Sequence, residues 1–410
     1  MTAFFDERET RPPETREVAL MAALPGQVAR ARETPGQAAR LAEIEPADIA
    51  SREALAGLPV IRKGDLLERQ TSAIPFAGLN HLPTVKMTRL FLSPGPIADP
   101  QGRRPDYWRM GRALHAAGFR AGDIVLNCFS YHFTPAGMMF DGAAQAVGCP
   151  VIPGGTGQTD SQIQAIGHFR PVGFAGTPDF LKIILDRADE TGADVSSIRR
   201  GAVGGGALLP PLRKEYDDRG IAVLQSYGTA DVGLIAYESE AREGMILDED
   251  IIVEIVRPGT GTPVPDGEVG EVLVTLLDED YPLLRFATGD LSAILEGESP
   301  CGRTAPRIRG WLGRADQRTK IRGMFVDPAQ IDRLLRAHPG VGRMRLVVGE
   351  KDGIDAPLLR CEAGGGSEDL AAALAESFRA ECKLRTEVEL VEPGALPNDG
   401  KVIDDRRDYG

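Results

Sequence analysis

Between residues 123 and 229, short apolar runs alternate with segments of helical period, and this alternation limits the fold more than any other feature. "DIVLNCF" (123–129) reads as a strand, "AGMMFDGAAQAVG" (136–148) as a helix and "CPVIP" (149–153) as a strand again. "SQIQAIGHF", "GFAGT" and "PDFLKIILDRADETG" continue as helix, strand and helix, followed by "GAVGGG", a further helix and "IAVLQSYGT". Pro178 stands near a helix start, where its missing N–H is not needed, and Gly192 lies just past the end of that helix. A βαβα rhythm of this kind predicts a largely parallel sheet covered by helices. Ligands of such sheets gather at the carboxyl ends of the strands.

The flanks have other textures. The first ~70 residues read as helical, interrupted at Pro25, Pro35 and Pro46. After Glu240, "IIVEIVRP", "GEVLVTLL" and "LLRFATG" are β-rich and divided by turn signals such as Asp266-Gly267, which predicts an antiparallel subdomain. From about Gly313 a helix, strands and a second helix form an α+β unit of ~95 residues, enough for a small domain. A chain of 410 residues exceeds one ordinary core, so two or more domains are expected.

Acidic residues outnumber basic ones, 60 to 47, for a net charge of −13, which argues against a nucleic-acid partner or an anionic membrane surface. The opening "MTAFFDERETRPPETREVAL" has no apolar signal core, and no window approaches ~18 uninterrupted apolar residues. Cys128, Cys149, Cys301, Cys361 and Cys382 are scattered without a C-x-x-C pair. A reducing cytoplasm is the simplest reading, each thiol being a small core residue.

Four loops could carry chemistry. "VIPGGTGQT" (151–159) and "GAVGGGALLP" (201–210) could bring backbone close to a ligand or be plain turns. "QSYGTADVG" (225–233) is more specific: Tyr227 offers an aromatic face, Thr229 a hydroxyl and Asp231 a hard carboxylate suited to Mg²⁺. In "TGDL" (288–291), Asp290 could accept ribose hydroxyls or cap a turn.

Taken in order, "SYHFTPAGMMFDGAAQAVGCPVIPGGTGQTDSQIQAI" (130–166), "GTPDFLKIIL", "GGGALLP", "SYGTADVG", "VPDGEVGEVLVTLL", "LRFATGDL", "SPCGRTAPRIRGWLGRADQRTKIRGMFVDPAQI" and "ALPNDGK" resemble the phenylacetate–CoA ligase family of adenylate-forming enzymes. The resemblance covers nearly the whole chain. It implies an α/β fold: a large N-terminal domain (1–313) of parallel-type sheets covered by helices plus a β-rich subdomain, and a small mobile α+β C-terminal domain (314–410). The implied activity is an ATP-dependent acid–CoA ligase for an aryl or arylacetic acid, acting through an acyl-adenylate and then a thioester. ATP, Mg²⁺ and CoA are the implied cofactors, a carboxylic acid and CoA or a carrier-protein thiol the partners, and a homodimer is consistent with the family.

Residue by residue, the resemblance assigns Gly205, Gly206 and Ala207 to the adenine, with Tyr227 and Gly228 beside it. Thr229 would meet the α-phosphate, and Asp231 matches the usual Mg²⁺-binding Glu with one methylene fewer. Asp290 and Arg314 would hold the ribose, Asp316 is the implied hinge, and Arg322 and Gly323 lie on the thiol side. Lys401 matches the lysine that steadies the carboxylate and α-phosphate. Phe133 matches an acid-pocket aromatic, with Tyr131, Met139 and Phe140 in the same segment; for Met139 and Phe140, pocket and plain core remain equal readings. His132 could touch a polar substituent or cap local backbone.

Two departures stand out. "GMILDED" (244–250) lacks His and Cys and "SPCG" keeps only Cys301, so no four-ligand structural zinc is expected. The phosphate loop, rich in Ser, Thr and Gly and ending in Lys in the family, is here "SPGPIADP", retaining Ser93 and Gly95. Pro94, Pro96 and Pro100 each remove a donor, and Asp99 places a negative charge beside a polyphosphate. A rigid turn and a weakened phosphate grip are expected. The alternative function is a non-adenylating homologue that keeps an AMP or acyl-CoA site.

Overall fold

The computed structural model describes residues 3–93, 96–315, 317, 319–321, 324–351, 354–365 and 367–407. The chain divides into two compact units, one of Met1–Val253, Val274–Thr288 and Ile294–Trp311, the other of Glu254–Leu273, Gly289–Ala293 and Leu312–Gly410.

The first unit is built on a nine-stranded sheet. Its parallel half runs Val151–Pro153, Val125–Asn127, Gly173–Gly176, Arg200–Val203 and Ala222–Thr229. The helices between them, Ala136–Val147, Thr159–Phe169, Pro178–Thr191 and Pro210–Asp218, supply the crossovers that parallel pairing requires. Pro178 opens its helix, and Gly192 closes it in the left-handed conformation. Strands buried on both sides read as continuous apolar runs: Phe174, Ala175, Ala202 and Val203 are all in the core.

The sheet changes direction at residues 229–233. Gly233–Tyr237 turns back antiparallel to Ala222–Thr229, followed by Met245–Leu247, Arg307–Ile308 and Ile294–Leu295. These short strands lie outside the runs "IIVEIVRP", "GEVLVTLL" and "LLRFATG" expected to form a subdomain of their own, and they extend the main sheet. Short apolar runs specify a strand and leave its neighbour open, and here the free edge of Gly233–Tyr237 accepts Met245–Leu247, to which Arg307–Ile308 and then Ile294–Leu295 add. Ile251–Val256, Gly270–Leu276 and Phe286–Ser292 do form a separate sheet, and Ile61–Arg62 adds to it in parallel with Phe286–Ser292.

The turn is held from one side by Trp108 and Arg109. Trp108 donates its indole N–H to Ala230 O (3.1 Å), and its own carbonyl accepts from Leu234 N (2.9 Å). Arg109 donates to Val232 O (2.5 Å) and Leu234 O (3.1 Å) and pairs with Asp248 at 2.7 Å. Gly233 has φ +72° and lies so close to Trp108 that a Cβ would come within 2.7 Å of its carbonyl oxygen, so no side chain fits there.

The N-terminal segment is stapled to this unit by buried charge. Glu9 accepts from Arg303 Nε (3.1 Å), Tyr237 OH (2.8 Å) and Phe5 N (3.0 Å). Glu249 accepts from Arg16 Nε (2.9 Å) and Arg11 Nη2 (2.7 Å).

In the second unit a sheet of order Glu387–Val391, Ile354–Glu362, Met344–Lys351 and Ile403–Asp405 packs against helices Pro328–Ala337 and Glu368–Cys382. Ile331, Leu334, Leu346, Leu359, Leu374 and Phe378 form its core. Asp327 and Gln330 make a capping box at the first helix, with Pro328 at its first position, and Ser367 caps the second.

Removing one partner of a buried ion pair leaves the other charge uncompensated, at about 3–5 kcal/mol. Glu9→Ala strands the buried Arg303 guanidinium and frees the N-terminal segment. Urea unfolding is expected to show a loss of that order, whereas Glu14→Ala, on the exposed start of the first long helix, changes it by about 0.5 kcal/mol or less.

Candidate active site

At the carboxyl ends of the parallel strands, the loops expected to meet nucleotide lie open. Gly205, Gly206 and Ala207 are exposed after strand Arg200–Val203, and Gly205 is in the left-handed conformation. Gln225 anchors this loop by accepting from Leu208 N at 2.9 Å, and Gln225 is itself held by Glu238. Tyr227 is buried, its hydroxyl 3.4 Å from Thr288 Oγ1, next to a bulge that leaves Gly228 exposed. Thr229 is half-buried, and its Oγ1 accepts from Val232 N at 3.3 Å.

The phosphate loop is a β-hairpin, Arg89–Ser93 against Ile97–Gln101, with Ser93 opposite Ile97 and Phe91 opposite Asp99. Alternation sends Phe91 and Asp99 inward and leaves Leu90 and Leu92 exposed. The turn expected to be rigid includes Pro94 and Gly95, which lie outside the described residues. Asp99, however, does not present its charge to an open loop: it is fully buried, and Ser93 Oγ donates to its Oδ2 at 2.5 Å. Behind the hairpin the Asp99 carboxyl lies close enough to that of Asp231 for their charges to act on each other. Burial first, and the Asp231 charge second, push Asp99 up to about 7, against the opposing influence of Ser93 and Lys63. Gly95 lies outside the described residues.

Asp231 is 3% exposed, and its Oδ2 accepts from Lys63 Nζ at 2.5 Å. Its Oδ1 is buried without a donor, as is Oδ1 of Asp99. Asp231 therefore does not fit the expected Mg²⁺ ligand: one oxygen is taken by an ammonium, and the whole group is enclosed. Lys63, the first residue of helix Lys63–Arg69, carries no motif in the sequence; only its position 168 residues from Asp231 in the chain, closed by folding, reveals it.

In the acid-pocket segment, Met139 and Phe140 are buried core residues, Phe140 stacking on Phe129 at 4.4 Å between ring centroids. Of the two readings left open for them, plain packing is the one these contacts describe. Tyr131 is half-buried; its hydroxyl accepts from Asn127 Nδ2 (2.7 Å) and donates to Asp141 (3.3 Å), while burial and the Asp141 charge raise its pKa. Phe133 is 77% exposed, on the surface rather than in an enclosed cavity. His132 is exposed, its backbone N–H donating to Ser130 Oγ at 3.3 Å.

The remaining residues belong to the second unit. Asp290 is buried and pairs with Arg314 at 2.9 Å, the two also facing each other across a β-bridge, so the expected ribose-binding pair is brought together. The Lys401 side chain is half-exposed, 3.3 Å from Asp404, whose carboxyl is held low by Arg406 and Lys401 despite partial burial. Gln317 secures this segment: its Nε2 donates to Gly400 O (2.8 Å), and its Oε1 accepts from Val402 N (2.5 Å) and Ile403 N (2.8 Å). Gly400 has φ +71°, and a Cβ there would come within 2.7 Å of Val269 Cγ1. Asp316, Arg322 and Gly323 lie outside the described residues.

Comparison with known proteins completes the picture. Residues 106–275 match the family described as AMP-binding enzyme. Phenylacetate–coenzyme A ligase from Aromatoleum evansii is 30% identical over 378 residues, spanning 86% of this chain and 84% of that protein. The chain belongs to the phenylacetate–CoA ligase family. A second member, from Escherichia coli K12, is 32% identical over 310 residues, covering 71% of this chain and 68% of its own length. Among solved structures, 2-hydroxyisobutyryl-CoA ligase in an open conformation with 2-HIB-AMP and CoA gives a TM-score of 0.72 at 25% identity, over 95% of this chain and 91% of that one. The same ligase in its postadenylation state with 2-HIB-AMP matches with the same TM-score over 99% and 93%. This family member thus has the mixed α/β architecture expected from its sequence, with parallel strands in the first unit and an α+β second unit.

Asp99 keeps in the folded state a proton that the unfolded chain releases near pH 4. Its contribution is fully present below that pH and is lost as pH rises through about 7. Stability against urea is expected to fall between pH 5 and 8 by on the order of a few kcal/mol. Asp99→Asn should flatten that slope, and an unchanged slope would remove the buried acid pair as its cause.

Proposed function

We propose that the protein is an AMP-forming acid–CoA ligase whose substrate is an aryl or arylacetic acid. The observation that carries this reading is family membership along most of the chain, together with Lys401 in "ALPNDGK" and the paired Asp290 and Arg314.

A carboxylate is a poor electrophile, and its negative oxygen must approach an anionic phosphate. In the first half-reaction it attacks the α-phosphorus of ATP, forming the mixed anhydride and releasing pyrophosphate. The Lys401 ammonium offsets charge that builds up between carboxylate and phosphate, and the Thr229 hydroxyl donates to the α-phosphate. Asp290 accepts ribose hydroxyls, and Tyr227 packs beside adenine, with Gly205, Gly206 and Ala207 leaving room for its plane. In the second half-reaction the thiol, losing its proton, attacks the acyl carbon and expels AMP. Exchange of partners about Asp316 would bring Arg322 and Gly323 to the thiol. Magnesium enters as the cation that ATP carries from solution, not as an ion held by Asp231.

CoA is the proposed acceptor, with a carrier-protein thiol as its competitor. Residues 314–410 are proposed as the moving domain, the protein as a cytoplasmic enzyme, and its assembly as a homodimer. The five cysteines, all unpaired thiols, accord with a reducing compartment.

Incubation with ATP, Mg²⁺, CoA and a panel of aryl and alkyl acids is expected to give acid-dependent AMP, pyrophosphate and acyl-CoA. Lys401→Ala, altering a half-exposed side chain, should keep the unfolding midpoint yet lower adenylate formation at least about 100-fold. Wild-type adenylation rates in that variant would remove the role of Lys401. AMP binding without turnover across the panel would favour the non-adenylating reading.

A further inference from the structure

Lys63, Asp99 and Asp231 form a nearly closed set of charges beneath the phosphate hairpin. Asp99 is fully buried and Asp231 is 3% exposed, so neither carboxyl is solvated as it would be in an open loop. Lys63 Nζ lies 2.5 Å from Asp231 Oδ2, with its side chain 26% exposed. Ser93 Oγ closes Asp99 Oδ2 at 2.5 Å. The other oxygen of each carboxyl has no donor. Tyr281 is completely buried and its hydroxyl has no partner; burial first, then the Asp231 and Asp99 charges, raise its pKa.

Two buried carboxyl groups facing each other are relieved by a retained proton or by positive charge, and a divalent cation with oxygen ligands is one common source of that charge. Here an ammonium from the chain itself already stands at Asp231. A second cation would have to displace Lys63 or crowd against it, and like charges at such range repel strongly in a low-dielectric interior.

We propose that Lys63 is the resident counter-ion of Asp231, occupying the place of a protein-held divalent cation, so that nucleotide binds beside this hairpin without a metal ion on Asp231. The role of Lys63 is positional: it fixes Asp231 and, through the acid pair, the inner face of the hairpin. The nucleotide clause rests on the function proposed above; the metal clause does not.

The test uses the full-length protein and Mn²⁺ alone, without nucleotide, followed by electron paramagnetic resonance at pH 8. Wild type and Asp231→Asn are expected to give the same Mn²⁺ isotherm. Lys63→Met, which removes the ammonium while keeping an unbranched chain, should gain one site at least about tenfold tighter than any in wild type. Adding Asp231→Asn to it should abolish that site. A wild-type Mn²⁺ site that disappears in Asp231→Asn overturns the proposal, as does a folded Lys63→Met that gains none. If Lys63→Met does not fold, Lys63→Gln takes its place, and the wild-type comparison decides independently. Calorimetry with AMP supplies the second arm: affinity should agree within about twofold in EDTA and in Mg²⁺, and a rise of tenfold or more with Mg²⁺ overturns the nucleotide clause. Failure to bind AMP under either condition counts against the proposed nucleotide site and leaves the manganese result standing, which keeps the two readings separable.

Discussion

The clasp of Trp108 and Arg109 on residues 230–234 is the interaction on which the candidate site depends. Parallel pairing ends at strand Ala222–Thr229, and the next strand must reverse within a few residues. Such a turn exposes backbone carbonyls to the interior, where each needs a donor. Arg109 supplies two of those donors, to Val232 and Leu234, and Trp108 supplies one to Ala230. Asp248 in turn neutralises the guanidinium. Thr229 and Asp231 are thus displayed by a turn whose backbone is fixed from outside their own segment. Gly233 is the steric counterpart, since only a residue without Cβ can sit against Trp108.

From that turn the charges propagate inward rather than outward. Asp231 is met by Lys63 and by Asp99, and Asp99 in turn by Ser93. The hairpin that replaces a glycine-rich phosphate cradle is therefore not a loop that lost its function by becoming loose. It is a two-stranded element whose inward polar residue lies against the turn at residues 229–233. Of the described residues of this stretch, Ser93 and Asp99 are engaged with each other.

Local periodicity and turn chemistry made much of the fold legible. The βαβα alternation yields the five parallel strands and their helices, and Pro178 and Gly192 mark one helix at both ends. Asp290 and Arg314, each assigned to the ribose by resemblance, pair with each other in space. The illegible features share one cause: they depend on partners distant in sequence. Nothing near Lys63 announces Asp231, and nothing in Met245–Leu247 or Arg307–Ile308 says which sheet edge will receive them. Asp99 was visible as a negative charge, but its inward direction follows from a hairpin register that prolines alone do not specify.

The hold of Gln317 on residues 400–403 has a consequence for how such a protein can change over generations. One side-chain amide gathers a carbonyl and two amide hydrogens from the stretch that carries Lys401. The sheet binds the same stretch through backbone, Leu346 N donating to Val402 O at 2.9 Å, and alteration on that side would disturb the whole layer. An amide side chain can be exchanged by a single codon, and the exchange touches neither the core nor any group placed at a substrate. Position 317 is thus a tuning point, through which selection can loosen or tighten the lysine's seat while leaving the chemistry and the architecture intact.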